Sequence, residues 1–429
     1  MASNQDRSSK SSESSGPLSS GVEELAFLGV QAKRAERPNT EREAQRILAQ
    51  AFQDKLTVLP CGGATAMGAG VLPESVDIAL DMTGMNQILA FDPQNLNLAV
   101  LGGMTIDAIN EYLGGQGKAF FLPLDPPLAH RATIGGVYAT NGNGPLRLRY
   151  GTIRDQVLGV RGADACGREV GFGGKTVKNV SGYDLTKFFI GSAGSLCLIT
   201  SISFRVFPLP EASSLCELMF GSLEELEKFL SALRSSVLIP SAVVVTDSTA
   251  ASGPAGRLRV LASFEGHSQA VERQNKDLLK LAGEFGGTGD ARTDRDTMMK
   301  TLRSAIDPDG SAHDMLSLKV SVPISQGLRT FLAIRKLSEE YGLTAKTALL
   351  AGNGVIFICT PGMDQERASL LIAGVKDITQ SAGGHITPIR GHRKLLSGWG
   401  PRAEAALHRF VLQPLKEKLD PTGVFPQII

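Results

Sequence analysis

The fold is indicated most strongly by the segment Leu59-Pro60-Cys61-Gly62-Gly63-Ala64-Thr65. A short apolar strand, predicted at 55–59, leads into it, and the adjacent glycines let the backbone approach a ligand closely. In such a loop, successive backbone N–H groups can turn toward one point and bind a diphosphate without a helix dipole. Taken alone, the loop fits a tight connection between two strands equally well.

Two common nucleotide-binding loops do not fit the spacing of the glycines. Residues 62–68 read GGATAMG, which lacks the G-x-G-x-x-G order and the helix and acidic residue of a Rossmann unit. Gly174-Lys175-Thr176 matches the end of a P-loop, but Glu169 stands where the first glycine should be. We interpret that second segment as the end of a hairpin.

Further glycine clusters follow the first loop at wide separations. They lie at 132–136 (ATIGG), 140–144 (TNGNG), 150–155 (YGTIRD), 182–184 (GYD) and 191–194 (GSAG). Separated clusters of this kind favour a long, extended ligand across a domain over a compact metal or a single phosphate.

The bulk composition is that of a globular chain with room for two domains. Its 429 residues are 42% hydrophobic, and 44 Lys and Arg against 43 Asp and Glu give a net charge of +1. This balance does not favour nucleic acid or an anionic membrane as a partner. No apolar run reaches the ~18–20 residues of a membrane span.

The serine-rich N-terminus, residues 1–20, has no hydrophobic core segment and no twin arginine. It therefore predicts a disordered tail rather than an export signal. We expect a cytoplasmic protein, with any attachment to the inner membrane made through partners.

The cysteines and histidines do not form a metal-binding pattern. The five cysteines have wide spacings and no C-x-x-C pair, and no two histidines stand at i and i+4. We expect buried, reduced thiols, no metal site, and no iron–sulfur cluster held by this chain alone.

Pro208 and Pro210 mark a boundary between two parts of different texture. We predict one domain over 30–210 and a second over 211–429. In the second part strands alternate with helices, which predicts an α+β domain with an antiparallel sheet covered on one face.

Periodicity and capping residues also predict individual elements. Helices are expected after Thr40 and at 21–31, 105–113, 223–235, 269–285, 327–341 and 364–381, and strands at 77–81, 89–92, 96–101, 157–161, 169–172, 196–207, 242–246, 257–264, 316–322 and 355–359.

The glycine clusters together resemble the FAD-binding domain of the vanillyl-alcohol oxidase, or PCMH-type, family. The resemblance covers about residues 38 to 208, with the diphosphate loop at 59–65, and the family's segments follow in the same order. These are 102–105, 125–126, 132–136, 150–155, 178–184 and 194–196. It implies an α+β protein, in which a PCMH-type FAD-binding domain of two α/β subdomains is followed by an α+β cap domain with an antiparallel sheet.

The resemblance also implies which residues contact FAD. The diphosphate loop gives Pro60, Gly62, Gly63, Ala64 and Thr65; the flavin and ribityl stretch gives Thr133, Gly135, Gly136 and Asn141; the adenine half gives Arg154, Gly194 and Ile199. Some relatives attach FAD covalently through a histidine in the first loop. This loop has Cys61 and no histidine, so we expect noncovalent FAD.

The segments FGGK at 172–175 and KNVSGYD at 178–184 resemble those of the FAD-binding subunits of bacterial glycolate oxidases. That similarity implies oxidation of a 2-hydroxy acid, such as glycolate or D-lactate, by hydride transfer to flavin N5. It also implies a complex with a second flavoprotein and an iron–sulfur subunit, and electrons leaving to a quinone or similar acceptor.

Such chemistry needs a base for the hydroxyl proton and a cation for the carboxylate. One segment, 384–394, concentrates these groups, with His385 or His392 as the base and Arg390 or Arg393 as the clamp. The alternative is an exposed basic loop near the domain interface.

The C-terminal segment departs from the family. Many relatives end with Asp-Pro, a gap and Phe-Asn-Pro-Gly-Arg, whereas residues 420–426 read DPTGVFP without the Asn and Arg. An FAD-binding subunit without catalysis, serving electron transfer or as a scaffold, therefore stays open, as does another oxidoreductase on the same flavin domain.

Overall fold

The computed structural model describes residues 20–117, 119–174, 185–247, 258–307, 315–396 and 405–427. Its helices are α1 (Ser20–Phe27), α2 (Glu41–Asp54), α3 (Ile106–Gly114), α4 (Ile134–Thr140), α5 (Arg147–Tyr150), α6 (Ile153–Gln156), α7 (Leu223–Ser235), α8 (Ser268–Glu284), α9 (Arg295–Ile306), α10 (Gly327–Glu340), α11 (Gln365–Ser381) and α12 (Ala405–Leu419).

The first ten strands, which lie in the N-terminal half, are β1 (Gln31–Glu36), β2 (Val58–Cys61), β3 (Ser75–Asp81), β4 (Ile88–Asp92), β5 (Asn97–Leu101), β6 (Phe120–Phe121), β7 (Val157–Ala163), β8 (Glu169–Gly173), β9 (Leu198–Arg205) and β10 (Phe207–Pro208). The remaining strands are β11 (Ala212–Phe220), β12 (Ala242–Asp247), β13 (Leu258–Gly266), β14 (Thr288–Arg292), β15 (Leu316–Ser321), β16 (Lys346–Leu350), β17 (Val355–Thr360) and β18 (His385–Arg390).

The N-terminal strands build two main sheets. One is parallel, in the order β1-β3-β2, and the other is antiparallel, in the order β4-β5-β9-β7-β8. Helix α2 packs Ala44, Leu48 and Ala51 into a core shared by both sheets, with residues such as Ile78 of β3 and Leu198 of β9. The two sheets agree with the two subdomains that the resemblance implies.

The C-terminal strands form one antiparallel sheet in the order β14-β11-β13-β12-β16-β17-β15-β18. Helices α7, α8, α10 and α11 cover one face and share its hydrophobic core. On the other face α9 packs Met298, Leu302 and Ile306 against strand residues such as Val244 and Leu350. The rest of that face is turned toward the N-terminal half. The antiparallel sheet with its packed helices confirms the predicted α+β class.

Two expected elements begin or end elsewhere than their periodicity indicated. The helix expected over 21–31 ends at Phe27, because Gly29 takes a φ of +82° and the chain enters β1. The strand expected at 55–59 begins at Val58, because Lys55 closes α2 in the left-handed conformation with a φ of 56°.

The C-terminal segment returns to the N-terminal sheets. Lys416 of α12 donates from Nζ to the backbone oxygens of Ser195, at 2.7 Å, and Phe425, at 3.1 Å. The Val58 amide of β2 donates to the Val424 carbonyl at 2.7 Å. The end of α12 and the residues that follow it therefore pack beside the N-terminal half, although they follow the C-terminal sheet in sequence.

Candidate functional site

A cleft of about 1000 Å³, here called the glycine-loop cleft, lies where three distant segments of the N-terminal half meet. They are the loop after β2, the beginning of α4 and the loop before β9. The lining includes residues 59–67, 70–72, Met82, Gly102, Thr133, Gly135, Gly136, Ala139, Thr140, 192–195, 197–199, Pro426 and Gln427.

The loop after β2 has a backbone shaped for close approach. A Cβ on Gly62 would lie 2.2 Å from Thr133 Oγ1, and one on Gly63 would lie 2.0 Å from the Arg131 carbonyl oxygen. Ala64 takes a φ of 53°. Among the described residues, the amides of Gly63, Ala64 and Thr65 donate to no backbone carbonyl. The Ala64 amide is hydrogen-bonded to the Cys61 thiol. Because backbone amides require acceptors, the amides of Gly63 and Thr65 suit an anionic ligand such as a diphosphate.

Close backbone packing also places α4 at the cleft. A Cβ on Gly135 would lie 2.8 Å from the Gly102 carbonyl oxygen, so no side chain fits between these segments. Thr133 begins α4 and accepts from the Gly136 amide at 3.3 Å. The start of α4 thus forms a wall of the cleft beside the glycine loop.

The structure brings together ten of the twelve residues predicted to contact FAD. The lining contains Pro60, Gly62, Gly63, Ala64, Thr65, Thr133, Gly135, Gly136, Gly194 and Ile199. It does not contain Asn141, which ends α4 with a φ of 51°, or Arg154, which is exposed on α6.

Several lining residues were not predicted from the sequence. Met82 and Gly102 stand at the ends of β3 and β5, and Pro426 and Gln427 come from the far C-terminus. Gly102 belongs to a segment that the resemblance included, so that signal was present. Nothing local in the sequence indicates that Gln427 lies beside residues 59–65.

Cys61 is a buried thiol in the wall of the cleft. Its Sγ donates to the Gly21 carbonyl oxygen at 3.3 Å. Burial, reinforced by the charge of Asp81, raises the pKa of the Cys61 thiol to about 12. The group is therefore neutral at physiological pH and is a poor nucleophile.

A second space of about 490 Å³, here called the Lys319 cavity, adjoins the glycine-loop cleft. Thr65, Ala66 and Thr140 line both, so a ligand in one space lies next to a ligand in the other. The other lining residues are Ala69, Pro126, Pro127, Ala132, Val137, Gly142, Asn143, Lys319, Phe357, Thr387, Pro388 and Ile389. Among the described residues of this lining, Lys319 is the only charged one.

Lys319 reaches the cavity through the register of the C-terminal sheet. In that sheet Lys319 of β15 stands opposite Phe357 of β17 on one side and Thr387 of β18 on the other. The neighbouring residues Leu318 and Val320 point into the helix-covered core. The alternation of β15 therefore turns Lys319 toward the N-terminal half.

None of the four predicted catalytic residues lines either space. His385 is exposed at the first position of β18, and Arg390 is buried beside Glu24, with Nη2 and Oε1 3.6 Å apart. His392 lies against Gly29, and Arg393 pairs with Glu74 at 3.0 Å. Arg390 and His392 thus pack against α1 and the turn after it, whereas Arg393 extends to Glu74 and His385 stays exposed.

Glu24 of α1 joins that segment to the glycine loop. Its Oε2 lies 3.1 Å from Arg131 Nη2, and the same nitrogen donates to the Gly63 carbonyl oxygen at 3.1 Å. Glu24 and Arg390 are each only 2% exposed. A buried carboxylate thus lies between two guanidinium groups, one of which supports the loop.

The described part of the chain lacks a metal-binding cluster and a membrane-spanning helix. It contains no group of three or more His, Cys, Asp or Glu side chains placed to hold a metal ion. None of its helices has both the length and the apolar character needed to cross a bilayer.

Comparison with known families agrees with the geometry of the cleft. Residues 32–173 match the FAD binding domain family. This chain is a flavoprotein. The matched residues contain the glycine loop and α4, which both line the glycine-loop cleft.

Three curated relatives of this flavoprotein are oxidoreductases. Glycolate oxidase subunit GlcD of Bacillus subtilis is 27% identical over 90% of this chain and 86% of its own length. D-lactate dehydrogenase of Archaeoglobus fulgidus is 29% identical over 74% and 73%. Mitochondrial D-2-hydroxyglutarate dehydrogenase of Rattus norvegicus is 35% identical, over 41% of this chain and 32% of that enzyme. This flavoprotein is an FAD-dependent oxidoreductase.

Solved structures share the fold at low sequence identity. Xylooligosaccharide oxidase from Myceliophthora thermophila superposes with a TM-score of 0.70 and 15% identity, covering 97% of this chain and 96% of its own. p-Cresol methylhydroxylase gives a TM-score of 0.68 and 16% identity, covering 94% and 91%. These likenesses support the PCMH-type architecture.

Proposed function

We propose that this flavoprotein oxidises a small 2-hydroxy acid and passes the electrons to a partner subunit that carries an iron–sulfur cluster. The proposal rests mainly on the Lys319 cavity, which adjoins the glycine-loop cleft through Thr65, Ala66 and Thr140. The relatives named above act on glycolate, D-lactate and D-2-hydroxyglutarate.

The residues of the glycine-loop cleft fit FAD. The amides of Gly63 and Thr65 would bind the diphosphate, and the small residues beside them leave room for it. Bound FAD supplies the acceptor for the hydride that leaves the Cα of the substrate. The neutral, buried thiol of Cys61 supports noncovalent attachment.

The predicted roles of His385, His392, Arg390 and Arg393 in catalysis stay predictions. Arg390 contacts Glu24 of α1, His392 lies against Gly29, and Arg393 pairs with Glu74. His385 is exposed at the start of β18. We propose that Arg390 is a positioning residue that holds Glu24 in place. Glu24 in turn supports the glycine loop through Arg131.

The proposed partner follows from the subunit status of a relative and from the cysteines. The Bacillus subtilis relative is named as a subunit of glycolate oxidase. In the described residues, no cysteine belongs to a group that could hold a metal. An iron–sulfur cluster in such a complex would belong to the partner, which could also hold the complex at the inner membrane, and a second flavoprotein completes the proposed assembly.

An anaerobic absorbance titration tests this proposal. The purified, FAD-loaded chain is mixed with glycolate or D-lactate, and the flavin band near roughly 450 nm is followed. We expect bleaching, because the substrate reduces the flavin on this chain alone. A protein that takes up no FAD would contradict the assignment as a flavoprotein.

A second function is favoured by one observation. The described lining of the Lys319 cavity contains no His, Asp or Glu that could take the hydroxyl proton. An FAD-binding subunit for electron transfer or scaffolding would need no such base. In the same titration, FAD that stays oxidised with every hydroxy acid, and becomes reduced only when the partner subunits are added, supports this alternative.

A further inference from the structure

We propose that the Lys319 cavity binds the substrate as a small monocarboxylate, with its carboxylate on Lys319 and its hydroxyl on Asn143. This inference rests on the proposed function and names the substrate class of that site. It assigns binding to residues outside the histidine- and arginine-rich segment 384–394.

Lys319 has the position and the surroundings of an anion anchor. It is partly buried at the middle of the row formed with Phe357 and Thr387, and the other described residues of the lining carry no charge. A charge held among apolar groups interacts more strongly with an opposite charge than it would in water. An ammonium group also offers three N–H donors, so it can bind a carboxylate while keeping a protein contact.

Asn143 supplies a second, independent indication of a ligand. Its side chain is 6% exposed, and its Nδ2 donates to the Asn141 carbonyl oxygen at 2.7 Å. This bond fixes the orientation of the amide. Within the part of the chain that the structure describes, Asn143 Oδ1 is buried and receives no hydrogen bond. A buried acceptor of this kind is satisfied when a ligand brings a hydroxyl donor.

The two groups together match the two polar ends of a 2-hydroxy acid. The carboxylate needs a cation, and the hydroxyl needs an acceptor. Because Lys319 and Asn143 line one space beside the glycine-loop cleft, both ends could be held next to the residues that would hold FAD.

The remaining lining favours a short monocarboxylate over a dicarboxylate. It is made largely of apolar side chains, with Pro126, Pro127 and Val137 from the N-terminal half and Phe357 and Ile389 from the sheet. A second carboxylate would be buried there without a cation, which is unfavourable. Glycolate and D-lactate therefore fit this site better than D-2-hydroxyglutarate.

Binding of 2-hydroxyisobutyrate tests the site without turnover. This acid has no hydrogen on Cα, so it cannot be oxidised, and its binding is read from the shift of the flavin absorbance in the FAD-loaded chain. We expect Lys319→Met to weaken binding by about 10- to 100-fold, because a hydrogen bond to a charged group is lost. Lys319→Arg keeps the charge and should restore part of the affinity. The exposed Lys336→Met serves as the matched control.

A second comparison tests the role of Asn143. We expect the wild-type chain to bind 2-hydroxyisobutyrate more tightly than isobutyrate, which lacks the hydroxyl, and Asn143→Ala to lose that preference. FAD content is measured for every variant, so a loss of fold is distinguished from a loss of the site.

The outcomes separate this inference from the proposed function. If glycolate reduces the wild-type flavin and Lys319→Met binds the probe as tightly as wild type, this inference is wrong and the proposed function stands. If the probe binds through Lys319 but no hydroxy acid reduces the flavin, the site is supported and catalysis by this chain alone is contradicted. If Lys319→Met does not retain FAD, binding to the wild-type chain tests the inference instead. D-2-hydroxyglutarate that binds as tightly as 2-hydroxyisobutyrate, or more tightly, would overturn it.

Discussion

At the scale of single residues, the glycine-loop cleft depends on positions where a side chain is absent. Gly62 and Gly63 stand so close to Thr133 and Arg131 that even a methyl group would overlap them. The loop can present its amides to a diphosphate only because these side chains are missing. Cys61, the neighbour of this pair, is held by burial in a form that does not react.

Replacing Gly63 with alanine should disrupt FAD binding. The new Cβ would lie 2.0 Å from the Arg131 carbonyl oxygen, so the loop or the segment before α4 must shift. We expect a destabilisation of at least about 2 kcal/mol and little bound FAD. Gly114→Ala is the control, since nothing lies within 4 Å of its added Cβ. The bound flavin and the melting temperature are measured for both variants. Full FAD occupancy in Gly63→Ala would contradict the assignment of the loop to diphosphate binding.

Cys61 should not form a bond to the flavin. Its thiol has a pKa raised to about 12 by burial, so the thiolate is scarce at neutral pH. After acid precipitation we expect all FAD in the supernatant, and Cys61→Ala should retain FAD. A pellet that stays yellow, and turns colourless in Cys61→Ala, would show a covalent link.

At the scale of elements, α1, the 3₁₀ turn Met67–Ala69 and β18 connect the glycine loop to the C-terminal sheet. A Cβ on Gly68 in that turn would lie 3.0 Å from the backbone of Ile389 in β18. Helix α1 contributes Glu24, which lies between Arg131 and Arg390. Because β18 also lines the Lys319 cavity, a shift of this strand would change both the glycine loop and the cavity.

Glu24→Gln should weaken both the fold and FAD binding. The change leaves two buried or partly buried guanidinium groups beside a neutral amide, and loss of one partner of a buried ion pair costs about 3 kcal/mol. We expect a lower melting temperature and a several-fold higher dissociation constant for FAD, since Arg131 also supports the Gly63 carbonyl. The exposed Glu23→Gln is the control. Unchanged FAD affinity in Glu24→Gln would remove Glu24 from the support of the loop.

At the scale of the whole molecule, contacts between the two halves hold the Lys319 cavity between them. Arg303 of α9 forms a paired contact with Asp107 of α3, at 2.8 and 3.2 Å. Arg295, also of α9, lies over the ring of Phe121 at 4.5 Å. These contacts join the helix on the open face of the C-terminal sheet to the N-terminal half.

Burial of Asp125 in the folded molecule also makes the free energy of unfolding depend on pH. Burial raises the pKa of its carboxyl to about 7, against smaller effects of the Leu146 amide and Arg303 that lower it. The folded protein therefore keeps a proton that the unfolded chain releases, so this contribution is full below about pH 4 and is lost as the pH rises through about 7. We expect stability to fall over this range by up to about 4 kcal/mol from this group.

Asp125→Asn removes the titrating group and can still accept from the Leu146 amide, which lies 2.9 Å from Oδ2. The difference in unfolding free energy between pH 5 and pH 8 should therefore shrink in this variant. Denaturant unfolding at the two pH values measures it, with the exposed Asp377→Asn as the control. An identical pH dependence in wild type and Asp125→Asn would show that Asp125 ionises normally in the folded state.

The sequence determined the local features and the family. The helix at 223–235 has the bounds that periodicity predicted, and the hairpin of β7 and β8 forms where the turn residues indicated. The glycine loop was found from its own composition, because close backbone approach requires residues without side chains. The resemblance then supplied FAD and the order of the contacts.

Only the tertiary structure decided which charged residue faces the Lys319 cavity. The cluster of His385, Arg390, His392 and Arg393 is conspicuous in the sequence, yet none of the four lines the cavity. Lys319, a single cation in an apolar strand, does. Its neighbours Phe357 and Thr387 are brought beside it by strand register, and Asn143 comes from the other half of the chain. Register and the docking of the two halves follow from long-range pairing and burial, which no local pattern encodes.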